Sequence, residues 1–486
     1  MRKACSSGAV PLLVEPDRAK RYRMFEFVPK PLDDLVPAGH LLRRLESCID
    51  FRLLAAPLAR AYDAELGRPA IPPEVLVRAL VIGYVYGIPS FRRLCAAIHE
   101  NIAFRWFLFL GLEDEVFDPS TISVFLRRVG PAGFRALLQH LNEQLRRSGF
   151  FSDEAFVDST LVPAAVSSQA TGLSPTTLSP EAFAEVAQQA NGIFSTCEAL
   201  PTKPRSGRGV ARRRLVRRWF QDARGQLPLH PRDLDARWRK VSKGRPAVLG
   251  YKQHVLVDRH GFILAQQITH ATTRDADPVP ALLNEAPIRI RVLGADTGYS
   301  LGRLRRFLAQ RGIEAHIPLH SRHREHRHKR QGFDLTPDGH LRCPAGKLLR
   351  KTTYYAKDET WLYAARVSDC QACPLKRQCL SPRMKRRFVQ LSVYEAEFQR
   401  AEARARSARF RRVSLRRKAI IEGVFARIDR LGFRRARRFG LEDVQCEGYL
   451  AAVAHNMLKA LRCSRHPRRG AGIGSSYAGA LLWAHI

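Results

Sequence analysis

Two aspartates stand within or at the end of apolar runs: Asp158 in Phe156-Val-Asp-Ser-Thr-Leu-Val162 and Asp296 at the end of Ile290-Arg-Val-Leu-Gly-Ala-Asp296. A third acid, Glu422, lies far downstream in Ala419-Ile-Ile-Glu-Gly-Val-Phe-Ala-Arg-Ile-Asp429. Carboxylates at strand ends can hold hard divalent cations through oxygen, and such ions can clamp the attacking and leaving oxygens of a phosphodiester. Each acid also has a plainer reading. Asp296 precedes Thr297-Gly298 and would serve as a turn residue. Asp158 would bond to Ser159 or Thr160, although a carboxylate inside an apolar run is costly without a cation or a donor. Glu422 would simply neutralise its basic helix.

The composition points to a polyanion. Against 45 Asp and Glu stand 82 Lys and Arg, a formal charge of +37, far beyond what solubility needs, so binding should weaken steeply with salt. A hydrophobic fraction of 45% in 486 residues leaves enough apolar mass for several cores, which argues against a simple RNA-coating protein. Around Glu422 the residues Arg411, Arg412, Arg416, Arg417, Lys418, Arg427 and Arg430 form a positive field suited to a phosphate backbone. No uncharged apolar run approaches the length of a membrane span, and no signal peptide is visible, so a cytoplasmic protein with reduced cysteines is expected.

The elements that must position these acids change character along the chain. Residues 1–150 read as an all-helical domain. Pro72-Pro73 opens one helix that Gly87 to Pro89 breaks, Ser90 caps the next, and Asp118-Pro119-Ser120 opens a third that carries Arg127 and Arg128. Such short helices permit a helix-turn-helix reader of DNA, and equally a plain bundle. Residues 151–319 switch to the strand period: 156–162, a pair at 248–258 and 262–269, then 288–295, a helix over 301–310, and a strand over 313–319. Within it, 167–245 is rich in Ser, Thr, Pro and then Arg, and reads as a flexible connection. Residues 396–462 complete an α/β core, ending in an amphipathic helix through Leu450, Val453, Met457 and Leu461, and 463–486 form a tail.

Between these parts lies a basic insertion, 320–395, with His320, His323, His326 and His328 interleaved with Arg and Lys, which reads as a basic loop. It also carries Cys343, Cys370, Cys373 and Cys379 in the pattern C-x26-C-x2-C-x5-C. That spacing suits structural zinc; an iron–sulfur cluster takes the same thiolates, and free thiols are the plain alternative.

The ordered motifs Phe-Val-Asp-Ser-Thr, Gly250-Tyr-Lys-x-His254, Ala295-Asp-Thr-Gly-Tyr299, Ile421-Glu-x-x-Phe425 and Asn456-Met-Leu-Lys459 together resemble the DDE transposases of bacterial insertion sequences, over about residues 20 to 462. The resemblance implies a ribonuclease H-like catalytic core, Mg²⁺ or Mn²⁺ as cofactor, and cleavage and strand transfer at terminal inverted repeats. By position it makes Asp158, Asp296 and Glu422 the catalytic and metal-holding acids. The expected DNA contacts are Arg127 and Arg128 on the candidate reader helix, Lys252, and Arg416, Arg417, Lys418, Arg427 and Arg430 in the positive field around Glu422. A homo-oligomer on DNA is expected, associated with the nucleoid. A nuclease that cuts without joining, and a non-catalytic DNA-binding relative, are the rival functions. Where the family often has Tyr, Arg and Lys around its glutamate, this chain has Leu415, Lys418 and Asp429.

Overall fold

The computed structural model describes residues 17–18, 30–63, 69–166, 230, 232–240, 247–320, 332–356 and 359–464. Most of the 167–245 connection, the histidines at 323, 326 and 328, and nearly all of the tail lie outside the described residues.

The N-terminal region is helical, with α1 Leu32–Leu35, α2 Leu41–Cys48, α3 Phe51–Ala55, α4 Pro73–Val85, α5 Phe91–Glu100, α6 Ile102–Phe107 and α7 Pro119–Arg147. Its starts follow the local chemistry. Asp118 accepts from the Ser120 N–H and Pro119 occupies the first turn of α7, while Ser90 caps α5 through the Arg93 N–H. α7 is bent at Gly130 (φ 59°), immediately before Pro131, whose missing donor breaks the helical ladder.

A central sheet follows: β1 Glu154–Pro163, β2 Arg237–Arg239, β3 Val248–Asp258, β4 Ile263–His270, β5 Val292–Gly294 and β6 Glu314–His316. β3 lies antiparallel to β1, β4 antiparallel to β3, and β5 and β6 continue parallel on the other side of β1, giving the order β4-β3-β1-β5-β6. Helices α8 Val279–Glu285 and α9 Gly302–Gln310 supply the connections on one face. Two helices, α13 Ala408–Ile428 and α14 Leu441–Ser464, cover the other, preceded by α12 Glu395–Ala405. The stretch from Glu395 to Ile428 forms two helices and not one, because Ser407 turns the chain and caps α13 through the Phe410 N–H. β1 is buried on both faces. Phe156 joins one core and Val157 the other, as the strand period of two requires.

α14 ties the helical region to the sheet. Asn456 is fully buried; its amide oxygen accepts from Ile263 N–H at 2.9 Å, and its NH₂ donates to Ile263 O at 2.8 Å and to Asn142 of α7 at 2.9 Å. Gln445 accepts from Ile268 N–H at 2.6 Å. These side chains satisfy the outer edge of β4, which would otherwise offer unpaired backbone groups. One continuous apolar core therefore runs from Leu42 through Phe134 to Met457, joining residues on both sides of the 150 boundary.

The 167–245 connection contributes structure where it is described: β2 pairs with the start of β3, and Asp233 accepts from the Tyr251 hydroxyl. The cysteine-bearing insertion carries a second sheet, β7 Asp334–Leu335, β8 Leu341–Arg342, β9 Leu348–Tyr355, β10 Thr360–Ala364 and β11 Phe388–Ser392, wholly antiparallel, with the short helices α10 Val367–Gln371 and α11 Lys376–Cys379 between the last two strands.

Candidate active site

The two aspartates meet because of strand register. β1 and β5 run parallel with Phe156 opposite Gly294, so Asp158 and Asp296, each two residues further on, leave neighbouring strands at the same end of the sheet. That end is where open α/β sheets bind ligands. A Cβ at Gly294 would fall 2.8 Å from the Phe156 ring and 3.2 Å from Val413, so glycine there lets α13 settle onto the strands below the pair. Asp158 Oδ1 accepts from Ser159 N–H at 2.8 Å, and Asp296 Oδ1 from Gly298 N–H at 2.9 Å.

Burial dominates their electrostatics. It pushes the Asp158 carboxyl up to about 6, with the Asp296 charge adding to the rise and the Ser159 N–H and Arg417 opposing it. Asp296 is raised in the same direction, again mainly by burial. Two desolvated carboxylates at one spot are the arrangement that a divalent cation would relieve.

A third acid, missed by sequence reasoning, faces the same place. Asp275, in the loop between β4 and α8, accepts from Ser159 Oγ at 2.6 Å and Lys252 Nζ at 2.8 Å. Burial raises its carboxyl, but these two donors outweigh it and hold Asp275 below the ordinary value. Beneath the three acids, Tyr299 is 1% exposed; burial pushes its hydroxyl well up, with Asp158, Asp275 and Asp296 adding to the rise and Ser159 opposing it. The only sequence signal for Asp275 was one charge in Thr272-Thr-Arg-Asp-Ala-Asp277, where spacing alone does not separate it from Asp277.

α13 supplies the cover, and its placement differs from the expected trio. Arg417 Nη1 donates to Asp158 Oδ2 at 2.7 Å, so a guanidinium, not a carboxylate, meets the pair. Glu422 is exposed; five residues on, it points about 140° around the helix from Arg417. Ile421, Val424 and Ile428 take the buried face. The structure brings Asp158 and Asp296 together and leaves Glu422 on the solvent flank. Among the described residues, no three His, Cys, Asp or Glu side chains are grouped to hold an ion.

The basic residues divide by availability. Lys252 is 3% exposed and spends its ammonium on Asp275 and on Thr273 O at 2.6 Å, so it is removed from the expected DNA contacts. Its motif is architectural: a Cβ at Gly250 would lie 2.2 Å from Val162 O, and His254 Nε2 meets Thr269 Oγ1 at 2.9 Å. Arg416 pairs with Glu154 at 2.6 Å and Arg417 with Asp158, leaving neither free for a phosphate as it stands. Arg127, Arg128, Lys418 and Arg430 are exposed, with Arg128 resting on the Tyr62 ring. Arg427 is half-buried beside Arg430 and Arg462. Replacing Lys252 by methionine should therefore cost stability, about 3 kcal/mol for a broken buried pair, and leave the salt dependence of DNA binding unchanged. Denaturant unfolding and salt titrations of the same variant check both halves; a changed salt slope with unchanged stability would put Lys252 back among the DNA contacts.

Residues 30–128 match the family model described as a transposase domain (DUF772), and residues 342–461 match the model of a transposase DDE domain. The two matches, the second to a DDE domain, support a DDE-type transposase of an insertion sequence. Glu422 falls inside the second match, whereas Asp158 and Asp296 lie between the two. No curated protein matches the transposase. Its DDE domain implies a phosphoryl-transfer enzyme. No helix among the described residues is long and apolar enough to cross a membrane.

Proposed function

We propose that the transposase cleaves DNA at the terminal inverted repeats of its insertion sequence and joins the freed ends to target DNA, using Asp158 and Asp296 on a ribonuclease H-like core. The observation that carries this reading is the parallel register of β1 and β5, which seats two desolvated carboxylates side by side. The strand order β4-β3-β1-β5-β6, three antiparallel strands followed by two parallel ones, supports the core assignment.

The donor set fits Mg²⁺ or Mn²⁺. Magnesium is commonly held by one or two carboxylates, with phosphate oxygens and water completing the octahedron, so the aspartate pair suffices as the protein's fixed share. Bound there, the ions would supply an activated nucleophile and charge neutralisation at the phosphodiester. The protein's own work is placement. Asp158 and Asp296 are fixed by backbone N–H donors; Lys252 and Ser159 lock Asp275 beside them; Arg417 and Lys418 bring positive charge to the phosphate side. Glu422, on the solvent flank of the same helix, is the proposed third acid.

For end recognition, Arg127 and Arg128 stay exposed on α7. Because α7 shares its core with α14, the test belongs in the full chain, as residues 1–150 alone would expose that shared face. Incubating the protein with Mg²⁺ and a duplex carrying the DNA that flanks its coding region should give nicked ends and joined products. Cutting without joining would make it a nuclease. Binding without metal-dependent cutting would leave a DNA-binding protein.

A further inference from the structure

We propose that Cys343, Cys370, Cys373 and Cys379 form a structural zinc site that staples the second sheet, separate from the catalytic acids. The four residues come from three segments of the insertion, yet they line one small cavity. Cys343 follows β8 at a tight turn, its N–H donating to Lys347 O at 2.8 Å and its carbonyl accepting from Gly346 N–H at 2.8 Å, with Gly346 at φ 76°. Cys370 lies in α10, Cys373 just beyond it, and Cys379 closes α11. The fold of the insertion thus returns a distant hairpin cysteine to a Cys-x2-Cys pair and its follower, the tetrathiolate pattern of structural zinc.

Three further observations favour an ion over four idle thiols. First, all four are unpaired in disulfides. Second, the surrounding region has little else to hold it: among the described residues its core is Leu341, Leu349, Tyr363, Ala365, Val389 and Leu391, with Phe333, Trp361, Cys343 and Cys370 packed against them. A sheet with so small a core ordinarily needs a staple. Third, the sulfurs have the supporting contacts that thiolates use. Arg387 N–H donates to Cys370 Sγ at 3.5 Å, its guanidinium bonds Cys379 O at 3.1 Å, and Lys347 and Lys376 line the same cavity. Those cations would offset the net negative charge of a zinc tetrathiolate. As they stand, the sulfurs are not gathered into a closed cage; ligation would draw them together around an ion at about 2.3 Å from each sulfur.

The test uses the full chain, purified without chelators from cells supplied with both zinc and iron. Elemental analysis should find about one zinc per chain after exhaustive dialysis, and Cys373→Ser and Cys343→Ser should lose it. Because those variants could fail to fold, the parent carries a second measurement. Exchange with Co²⁺ should give the thiolate charge-transfer and visible bands of tetrahedral cobalt, and the four cysteines should resist alkylation until the metal is removed while Cys48, which is exposed, reacts at once. Metal-free protein, iron with a bleachable chromophore, disulfides among the four, or zinc that survives both substitutions would each overturn the assignment. None of these readouts depends on DNA cleavage, so failure of the transposition chemistry leaves the zinc result standing, and the reverse.

Discussion

Alanine at Asp158 or at Asp296 should lower Mg²⁺-dependent DNA cleavage by at least about a thousandfold, since each removes half of the protein's fixed share of the metal site. DNA affinity should change little, because both side chains are partly buried and held by the Ser159 and Gly298 N–H donors, and neither carries a positive charge for the phosphate backbone. The electrostatics give a second readout. With Asp158 raised to about 6 in the fold against about 3.9 unfolded, its ionisation opposes folding. The sign follows from proton binding: the folded state holds the proton more tightly, so this contribution to stability is intact below about pH 4, declines up to about pH 6 and stays lost above. Asp158→Asn should therefore gain thermal stability relative to the parent at pH 8, by up to about 3 kcal/mol, and the advantage should shrink towards pH 4. Mg²⁺ should raise the melting temperature of the parent at pH 8 and leave Asp158→Asn unmoved. Cleavage surviving in either alanine variant would remove that residue from the catalytic set.

The split between what was legible in the sequence and what was not follows physical scale. Strand period and turn chemistry placed β1, β3, β4 and the ends of α4, α5 and α7, because Asp118-Pro119, Ser90 and Pro72-Pro73 act within a few residues. The Asp158 and Asp296 positions were legible as acids bounding apolar runs, although their adjacency depends on parallel register, which no local signal carries. Asp275 was invisible because its role comes from Lys252 and Ser159, both distant in sequence. Lys252 was misread for the same reason: a lysine between Tyr251 and Gln253 shows its charge but not the carboxylate waiting across the sheet. On α13, Ile421, Val424 and Ile428 recur at helical spacing and are buried, with Phe425 only half-buried beside them. Which of Arg417 or Glu422 meets the aspartates depends on how the helix crosses the sheet, and the wheel alone does not fix that crossing.

That crossing sets the last expectation. α13 passes from β6, where Phe410 stacks against His316, over Gly294 at Val413, to the β3–β4 turn, where Ile420 approaches Gly261. Turning the helix to aim Glu422 at the sheet would expose Val413, Ile421, Val424 and Ile428, each costing about 1.5–3 kcal/mol, so the helix stays as packed and only side chains rearrange. Arg417 then competes with any cation for Asp158: its guanidinium and a divalent ion cannot both occupy Oδ2 at contact distance without strong repulsion. Arg417→Gln should lower the Mg²⁺ concentration for half-maximal cleavage about tenfold, while weakening DNA binding modestly through the lost charge. Glu422→Ala should leave stability unchanged, since the side chain is exposed and its removal opens no cavity, so any loss of cleavage in that variant reports a direct role of the carboxylate. Magnesium titrations of both variants beside the parent decide the matter. An unchanged midpoint for Arg417→Gln would mean that the guanidinium swings clear at no cost. Full cleavage by Glu422→Ala would leave Asp158 and Asp296 as the protein's only metal-holding acids and assign the remaining positions to DNA and water.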